Sequence, residues 1–189
     1  MTFLPKDYSI PKTGGNYMKF VKGENRFRIM SSAVVGWEYW TRDNKPVRSV
    51  TPFSEVPEDA KMDDNGNFRP KHFWAFVVWN YEEERLQILE ITQSTVMAGI
   101  EALVHNAKWG DPKGYDIVVK ATGDGMEREY SVVPEPHTEA PKADASGIVL
   151  EELFNGGDPF KGRPEASGKE DIAPIEYPED EINPEDIPF

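Results

Sequence analysis

The first part of the chain alternates apolar and polar residues with the period of a β-strand. In residues 26–30, Phe27 and Ile29 are separated by arginines, so one face of the segment is apolar and the other is charged. The apolar run continues through residues 34–40, where Gly36 favours a bend or bulge. This pattern predicts one long, bent first strand.

A loop and a hairpin follow the first strand. Residues 41–71 contain four prolines and an Asp-Asp-Asn-Gly turn signal at 63–66 but few periodic apolar positions, which is typical of a long surface loop. Residues 72–81 are dense in aromatic and β-branched side chains. Three glutamates at 82–84 then separate them from a second apolar run at 85–91. The pattern predicts a β-hairpin.

A helical period comes next. Between residues 96 and 107, apolar side chains recur three and four positions apart. Thr92 or Ser94 can cap the first turn, and Gly110 lies just beyond the last apolar position. The spacing predicts one amphipathic helix.

Two more strands complete the periodic part of the chain, at residues 115–122 and 129–133, with a Gly-Asp-Gly turn at 123–125. Five strands with one helix between the third and the fourth are the element order of the OB-fold, a small barrel that binds oligonucleotides on one face. We therefore predict a mostly β, OB-like barrel domain over residues 17–133. An open α+β sheet with the helix packed on it is the alternative.

The composition changes at residue 134. Nine prolines lie among Gly, Ala, Ser and acidic residues from there onward, and such a segment buries too little apolar surface to offset its ordering entropy. We expect a disordered acidic tail over residues 134–189. An apolar island at residues 148–154 can form a short helix or a docking segment. Residues 1–16, with two prolines and two glycines, predict an extended arm.

The charge is distributed unevenly. The net charge of the chain is -13, yet residues 1–48 carry a net charge of +5, whereas residues 170–189 carry eight acidic residues and no basic one. Because a phosphate chain responds to the local field of a groove, the basic N-terminal part is compatible with a nucleic-acid partner despite the acidic total.

Several protein classes find no support in the sequence. The chain has no Cys, and its three His residues lack metal-ligand spacing, so we expect no disulfide scaffold, metal centre or cofactor. It also lacks a P-loop, a G-x-S-x-G motif and an H-E-x-x-H motif, so we expect no enzyme. No apolar run approaches the roughly 20 residues of a membrane span. Because the N-terminus does not read as a signal peptide, we expect a cytoplasmic protein.

The last residues carry a distinct motif. Asp186, Ile187, Pro188 and Phe189 follow a run of acidic residues. This arrangement resembles the acidic tail of bacterial single-stranded DNA-binding proteins, whose tip recruits replication and repair partners. An aromatic ring and a carboxylate suit a pocket with a basic rim, and proline lowers the entropy cost of binding. A merely solvated acidic tail is the alternative.

A second resemblance covers residues 16–133. The segments NYMKF at 16–20, GENRFRI at 23–29, GWEYW at 36–40, KHFW at 71–74 and WGDP at 109–112 are similar to a family of single-stranded DNA-binding proteins of tailed bacteriophages. The resemblance implies an OB-fold core, sequence-tolerant binding and a role in replication, recombination or repair in the host-cell cytoplasm. It leaves the oligomeric state open.

Basic residues are interleaved with aromatic residues in the N-terminal half. Single-stranded nucleic acid requires this combination, since cations track the phosphates while aromatic faces stack bases. Trp37, Tyr39 and Trp40 are the stronger aromatic candidates, because they adjoin basic residues at the mouth of the long loop; which face of residues 72–81 is core stays open. The candidate DNA-binding residues are Tyr17, Lys19, Lys22, Arg26, Arg28, Trp37, Tyr39, Trp40, Arg42, Lys45, Arg48, Arg69, Lys71 and Trp74.

These observations predict a non-enzymatic, sequence-tolerant single-stranded DNA-binding protein that protects DNA and recruits partners through its C-terminal tip. The alternative is an acidic protein that mimics DNA and occupies the nucleic-acid sites of other proteins. The basic N-terminal part argues against a mimic, which should be acidic throughout.

Overall fold

A computed structural model of the chain describes residues 15–162. Within this range the chain forms one mixed β-sheet with two α-helices, which confirms the prediction of a mostly β protein. The elements are, in chain order, β1 (Tyr17–Met18), β2 (Gly23–Ile29), β3 (Val34–Trp40), β4 (Pro46–Ser49), β5 (Lys71–Asn80), β6 (Arg85–Ile91), α1 (Ser94–Val104), β7 (Tyr115–Thr122), β8 (Glu129–His137) and α2 (Glu152–Asn155).

Strand β5 is the centre of the sheet. One edge of β5 pairs with β6, as the predicted hairpin requires, while the other edge pairs with β2 near its carboxyl end and with β3 near its amino end. The main path is β1-β6-β5-β2-β7-β8, with β4 paired to β3. Only β1 and β6 are parallel among the described pairs. The described strands form an open sheet and lack the closing pair of the predicted five-stranded barrel.

The predicted long first strand is interrupted at residues 30–33, and β3 pairs with β5 through Gly36 without a register shift, so no bulge forms there. The interruption stays attached to the sheet because the Val77 N–H donates to the Ser31 hydroxyl oxygen at 2.9 Å. Gly36 has a packing role instead. A Cβ there would lie 2.6 Å from the Phe154 ring, so only glycine lets that ring approach the strand.

The main core lies on the face of the sheet that packs against α1, called the inner face below. The predicted helix is confirmed, but its N-cap is Gln93 without a side-chain cap bond, so neither Thr92 nor Ser94 caps it. The apolar face of α1 belongs to a core whose buried strand residues come from β1, β2, β5, β6 and β7. Buried members of this core include Phe27, Ile29, Phe76, Val78, Leu89, Ile91, Val96, Ile100, Ile117 and Val119.

A second apolar layer covers the opposite, outer face of β5 and β6. Residues 143–160 cross this face, and Ile148, Leu150 and Leu153 are buried against it. The island predicted at 148–154 is thus a docked segment with a short helix. Strand β8 runs to His137, so the domain boundary expected at residue 133 is wrong and the folded part continues through this cover.

The region between β3 and β5 contains more structure than the predicted surface loop. It includes β4, and the rings of Tyr39, Phe53 and Phe68 pack edge to face, with centroids 5.0 to 6.3 Å apart. The predicted arm lies outside the described residues up to residue 14, as does the tip with Asp186, Ile187, Pro188 and Phe189. None of the helices within residues 15–162 has the length and apolar character to cross a membrane.

Candidate nucleic-acid interface

A basic groove lies where β3 ends and β5 begins. Strand pairing sets Glu38 opposite Lys71, so that the next residues of β3 project beyond the amino end of β5. The tight turn after β3 is closed by the Lys45 N–H, which donates to the Thr41 hydroxyl at 3.1 Å, and Asn44 takes the left-handed conformation (φ 57°). The Lys61 N–H donates to the Trp40 carbonyl at 2.8 Å and holds the long loop beside this turn.

We call this feature the Trp40 groove. Its volume is about 350 Å³, and the Trp40 side chain on its wall is 43% exposed. Three cationic residues and one carboxylate line it. The lining residues are Tyr39, Trp40, Asn44, Lys61, Met62, Asp63, Arg69 and Lys71.

The charges in the Trp40 groove are held in place by short contacts. Arg69 Nε lies 2.6 Å from Asp63 Oδ2, and Lys61 Nζ donates to Asn44 Oδ1 at 2.9 Å. Hydrogen bonds from the backbone N–H groups of Asn67 and Asn65, together with Arg69, keep the pKa of Asp63 below its usual value. Lys71 makes no ion pair within 4 Å among residues 15–162. Lys71 is exposed, and its charge acts at longer range on the Glu38 carboxyl opposite it.

An aromatic strip lies on the inner face of the same strands. Trp37 pairs with His72 across β3 and β5, with ring centroids 5.0 Å apart, and Val35 pairs with Trp74 further along. Trp37, His72 and Trp74 are half-buried, while Val35 is 45% exposed. The strip thus presents aromatic surface next to the main core.

Tyr39 is not a free stacking residue. Its side chain is buried, its hydroxyl donates to Asp59 Oδ1 at 3.0 Å, and its ring packs against Phe53 and Phe68. Burial and the hydrogen bond to Asp59 raise its pKa. Although Tyr39 lines the Trp40 groove, its ring is engaged in these contacts, so the expectation that Tyr39 stacks a base is corrected to a packing role.

Arg48 belongs to a buried ion cluster on the outer face. Its guanidinium Nη2 lies 2.7 Å from Glu90 Oε2, and its Nε lies 3.5 Å from Glu38 Oε2. Burial, followed by the negative charge of Glu90, raises the pKa of Glu38 to about 7, although Arg48 opposes the shift. With only 10% of its side chain exposed, Arg48 cannot also hold a phosphate, and the prediction for it is corrected.

Arg28 is fully buried. Its Nε donates to Asp116 Oδ1 at 2.6 Å, and its Nη2 donates to the Thr138 hydroxyl at 2.7 Å. Asp116 also accepts from Arg26 at 2.6 Å and from the Tyr81 hydroxyl at 2.9 Å. Arg28 is therefore a structural cation, and its predicted contact with DNA is wrong.

Three other predicted residues, Tyr17, Lys19 and Arg26, meet at a separate groove of about 640 Å³ between β1, β2 and the turn after β5. This groove also contains three glutamates, so it is less suited to a polyanion. Lys22 lies apart and pairs with Asp124 at 2.7 Å. The remaining predicted cations, Arg42 and Lys45, are exposed in the turn beside the Trp40 groove.

The sequence did not point to Lys61 and Met62. They come from the middle of a long, proline-containing segment with no periodic pattern. The bridge between Thr41 and Ala60 carries them to the groove, and such a long-range contact leaves no local signal. Within residues 15–162, no three His, Asp or Glu side chains are grouped to hold a metal ion.

In comparisons with known proteins, the chain matches no family model, no curated protein sequence and no solved structure.

Proposed function

We propose that this protein is a non-enzymatic, sequence-tolerant single-stranded DNA-binding protein of DNA replication, recombination or repair. The Trp40 groove carries the proposal: an exposed indole stands among three cationic side chains, two of which, Lys61 and Lys71, have no ion pair within the described residues. Cations bind phosphates without regard to sequence, and each stacked base contributes about 1–3 kcal/mol.

The strand connectivity supports the same function. If β2 and β3 are taken as one interrupted strand, the order is first strand, β5, β6, helix, β7 and β8, and the first strand pairs with both β5 and β7. OB-folds share this order of five strands and a helix. We propose an opened OB-like sheet, with the Trp40 groove formed by the loop between its first two long strands.

We further propose that the acidic C-terminal segment recruits replication or repair proteins through Asp186, Ile187, Pro188 and Phe189. The support is chemical: an aromatic side chain beside carboxylates fits an apolar pocket with a basic rim. Removal of Phe189 alone leaves every side-chain charge in place. Pull-down of such partners should therefore collapse in the Phe189 deletion, while DNA affinity stays unchanged; equal recovery of partners would refute the recruitment role.

DNA binding is tested by fluorescence anisotropy of the full chain with a labelled oligothymidylate at several salt concentrations. We expect Trp40→Ala and Lys71→Ala to weaken binding, and Lys71→Ala to reduce the salt slope by somewhat less than one unit. Lys142→Ala is the matched control, because Lys142 is exposed and lies outside the groove. Absence of binding by the unmodified chain would refute the proposal and favour the DNA-mimic alternative.

A further inference from the structure

The two faces of β5 are not equally open. Phe73, Ala75 and Val77 point to the outer face and are fully buried beneath the cover formed by residues 143–160. OB-folds bind oligonucleotides on the face of their second and third strands, which correspond here to β5 and β6. In this protein the chain itself occupies that outer face.

The inner face of β5 remains open beyond the main core. Trp74 packs against the core and is partly exposed. It forms one wall of a cleft of about 260 Å³, whose other walls come from α1 and from residues 31–33 at the interruption of the first strand. Apolar side chains, among them Phe76 and Val104, make up most of the lining.

The rim of this cleft carries a cation. Lys113 lines the cleft from the turn before β7, together with one carboxylate, Asp111. The Lys113 side chain is 45% exposed, and its Nζ lies 3.7 Å from Asp111 Oδ2. On the other side of Trp74 the aromatic strip continues to His72, two residues back along β5, and to Trp37 opposite it. Thus an apolar slot with an indole wall, a cation at its rim and an adjacent aromatic pair lie along one face.

We propose that this cleft seats a nucleobase of single-stranded nucleic acid against Trp74, with a neighbouring base on the Trp37–His72 pair. A planar base suits a slot with an aromatic wall, and Lys113 is placed to meet a backbone phosphate. The inference rests on the proposed function and deepens it, because it adds a base-binding site on the inner face of β5 to the contacts proposed at the Trp40 groove.

Trp79 provides a matched control for Trp74. Both are half-buried tryptophans on β5, but Trp79 points to the outer face and packs against the cover. We expect Trp74→Ala to weaken oligothymidylate binding by roughly 5- to 150-fold, the range for one stacked base, while Trp79→Ala leaves the affinity of the folded protein unchanged. Trp74→Phe should retain most of the affinity because the ring is kept.

Thermal unfolding of each variant separates loss of stacking from loss of fold. Val104→Trp, which fills the cleft from α1, provides an independent variant and should also weaken binding. If the unmodified protein binds DNA but Trp74→Ala and Val104→Trp bind equally well, the inference is overturned and the proposed function stands. If the unmodified protein binds no DNA, both the inference and the proposed function are refuted. Equal losses for Trp74→Ala and Trp79→Ala also overturn the inference.

Discussion

At the scale of single residues, the outer face of the sheet contains two groups of buried, paired charges. Arg28 and Asp116 are 0% and 1% exposed, and Glu38 is 3% exposed beside Arg48 and Glu90. Removing one partner from such a cluster leaves an uncompensated charge in a poorly solvated site, which costs more free energy than an exposed ion pair contributes. The loss of any one of these charged partners should therefore destabilise the fold, and their side chains are unavailable to a ligand.

Glu38 predicts a pH dependence of stability. Its pKa is about 7 in the folded protein against an ordinary 4.5, because burial and Glu90 disfavour its charge. The folded state thus holds a proton that the unfolded state releases, so stability falls as pH rises from about 4.5 to about 7 and is level above that. The loss is on the order of 1–3 kcal/mol.

Glu38→Gln should flatten this dependence, since glutamine has no proton to release. The check is urea unfolding of both proteins at about pH 5 and about pH 8. Any pH-independent change in packing cancels when the two pH values are compared, so the change in the free-energy gap with pH isolates the titration of Glu38. A free-energy gap between the two proteins that does not change with pH would contradict this account of Glu38.

At the scale of elements, the cover formed by residues 143–160 contributes a second apolar layer. Leu153 is 4% exposed against the outer face, and Phe154 lies over Gly36 of β3. The cover therefore packs against the outer face of β3 and β5. The same two strands contribute residues to the Trp40 groove and to the aromatic strip. Its docking stabilises the strands that carry the proposed interface.

Leu153→Ala should lower the free energy of unfolding by about 2–5 kcal/mol, as expected for a leucine removed from a core. Val149→Ala, in the same segment but 42% exposed, should change it by no more than about 0.5 kcal/mol. Chemical denaturation of the two variants gives both values. Equal, small effects would mean that the cover does not contribute to the stability of the domain.

Periodic elements were predictable from the sequence, and contacts between distant segments were not. The apolar spacing from residue 96 predicts α1, and the strand-forming run at 115–122 before its Gly-Asp-Gly turn predicts β7, because both signals are local in the chain. The role of Arg28 could not be read in the same way. Because Arg28 alternates with apolar Phe27 and Ile29, the pattern predicts a solvent-exposed side chain. In the structure Arg28 is buried by Asp116, which is distant in sequence, and by residues that follow β8.

The candidate site shows the same division. Trp40, Arg69 and Lys71 were predicted from the interleaving of basic and aromatic residues, and they meet at one groove. Lys61 reaches that groove through the fold of the long loop. Tyr39 is instead engaged by a hydrogen bond to Asp59 and by packing against two phenylalanines. The sequence composition therefore predicted the types of residue at the candidate site, basic and aromatic, but not which of these residues meet there.

At the scale of the whole molecule, the charge of the chain is divided between a mixed domain and a strongly acidic end. Residues 170–189 carry eight carboxylate side chains and no cation. A covalently attached polyanion competes with DNA at a high effective concentration, and salt screens this competition over about 8–10 Å. The acidic end should therefore weaken DNA binding at low salt.

Removal of residues 170–189 should tighten binding to oligothymidylate, and the gain should shrink as salt is raised. Anisotropy titrations of the full and shortened chains across a salt series measure both effects. A variant with all eight carboxylates changed to amides is the control, and it should behave like the shortened chain. A gain in affinity independent of salt would show that charge is not the cause.

The central claim is that single-stranded DNA binds where β3 and β5 meet. It is tested most directly by photo-crosslinking the full chain to an oligothymidylate and mapping the modified peptides. We expect crosslinks in residues 37–45 and 61–74, suppressed by excess unlabelled single strand and much less by duplex DNA. Crosslinks confined to the separate groove of Tyr17, Lys19 and Arg26, or no association with single-stranded DNA, would contradict the account.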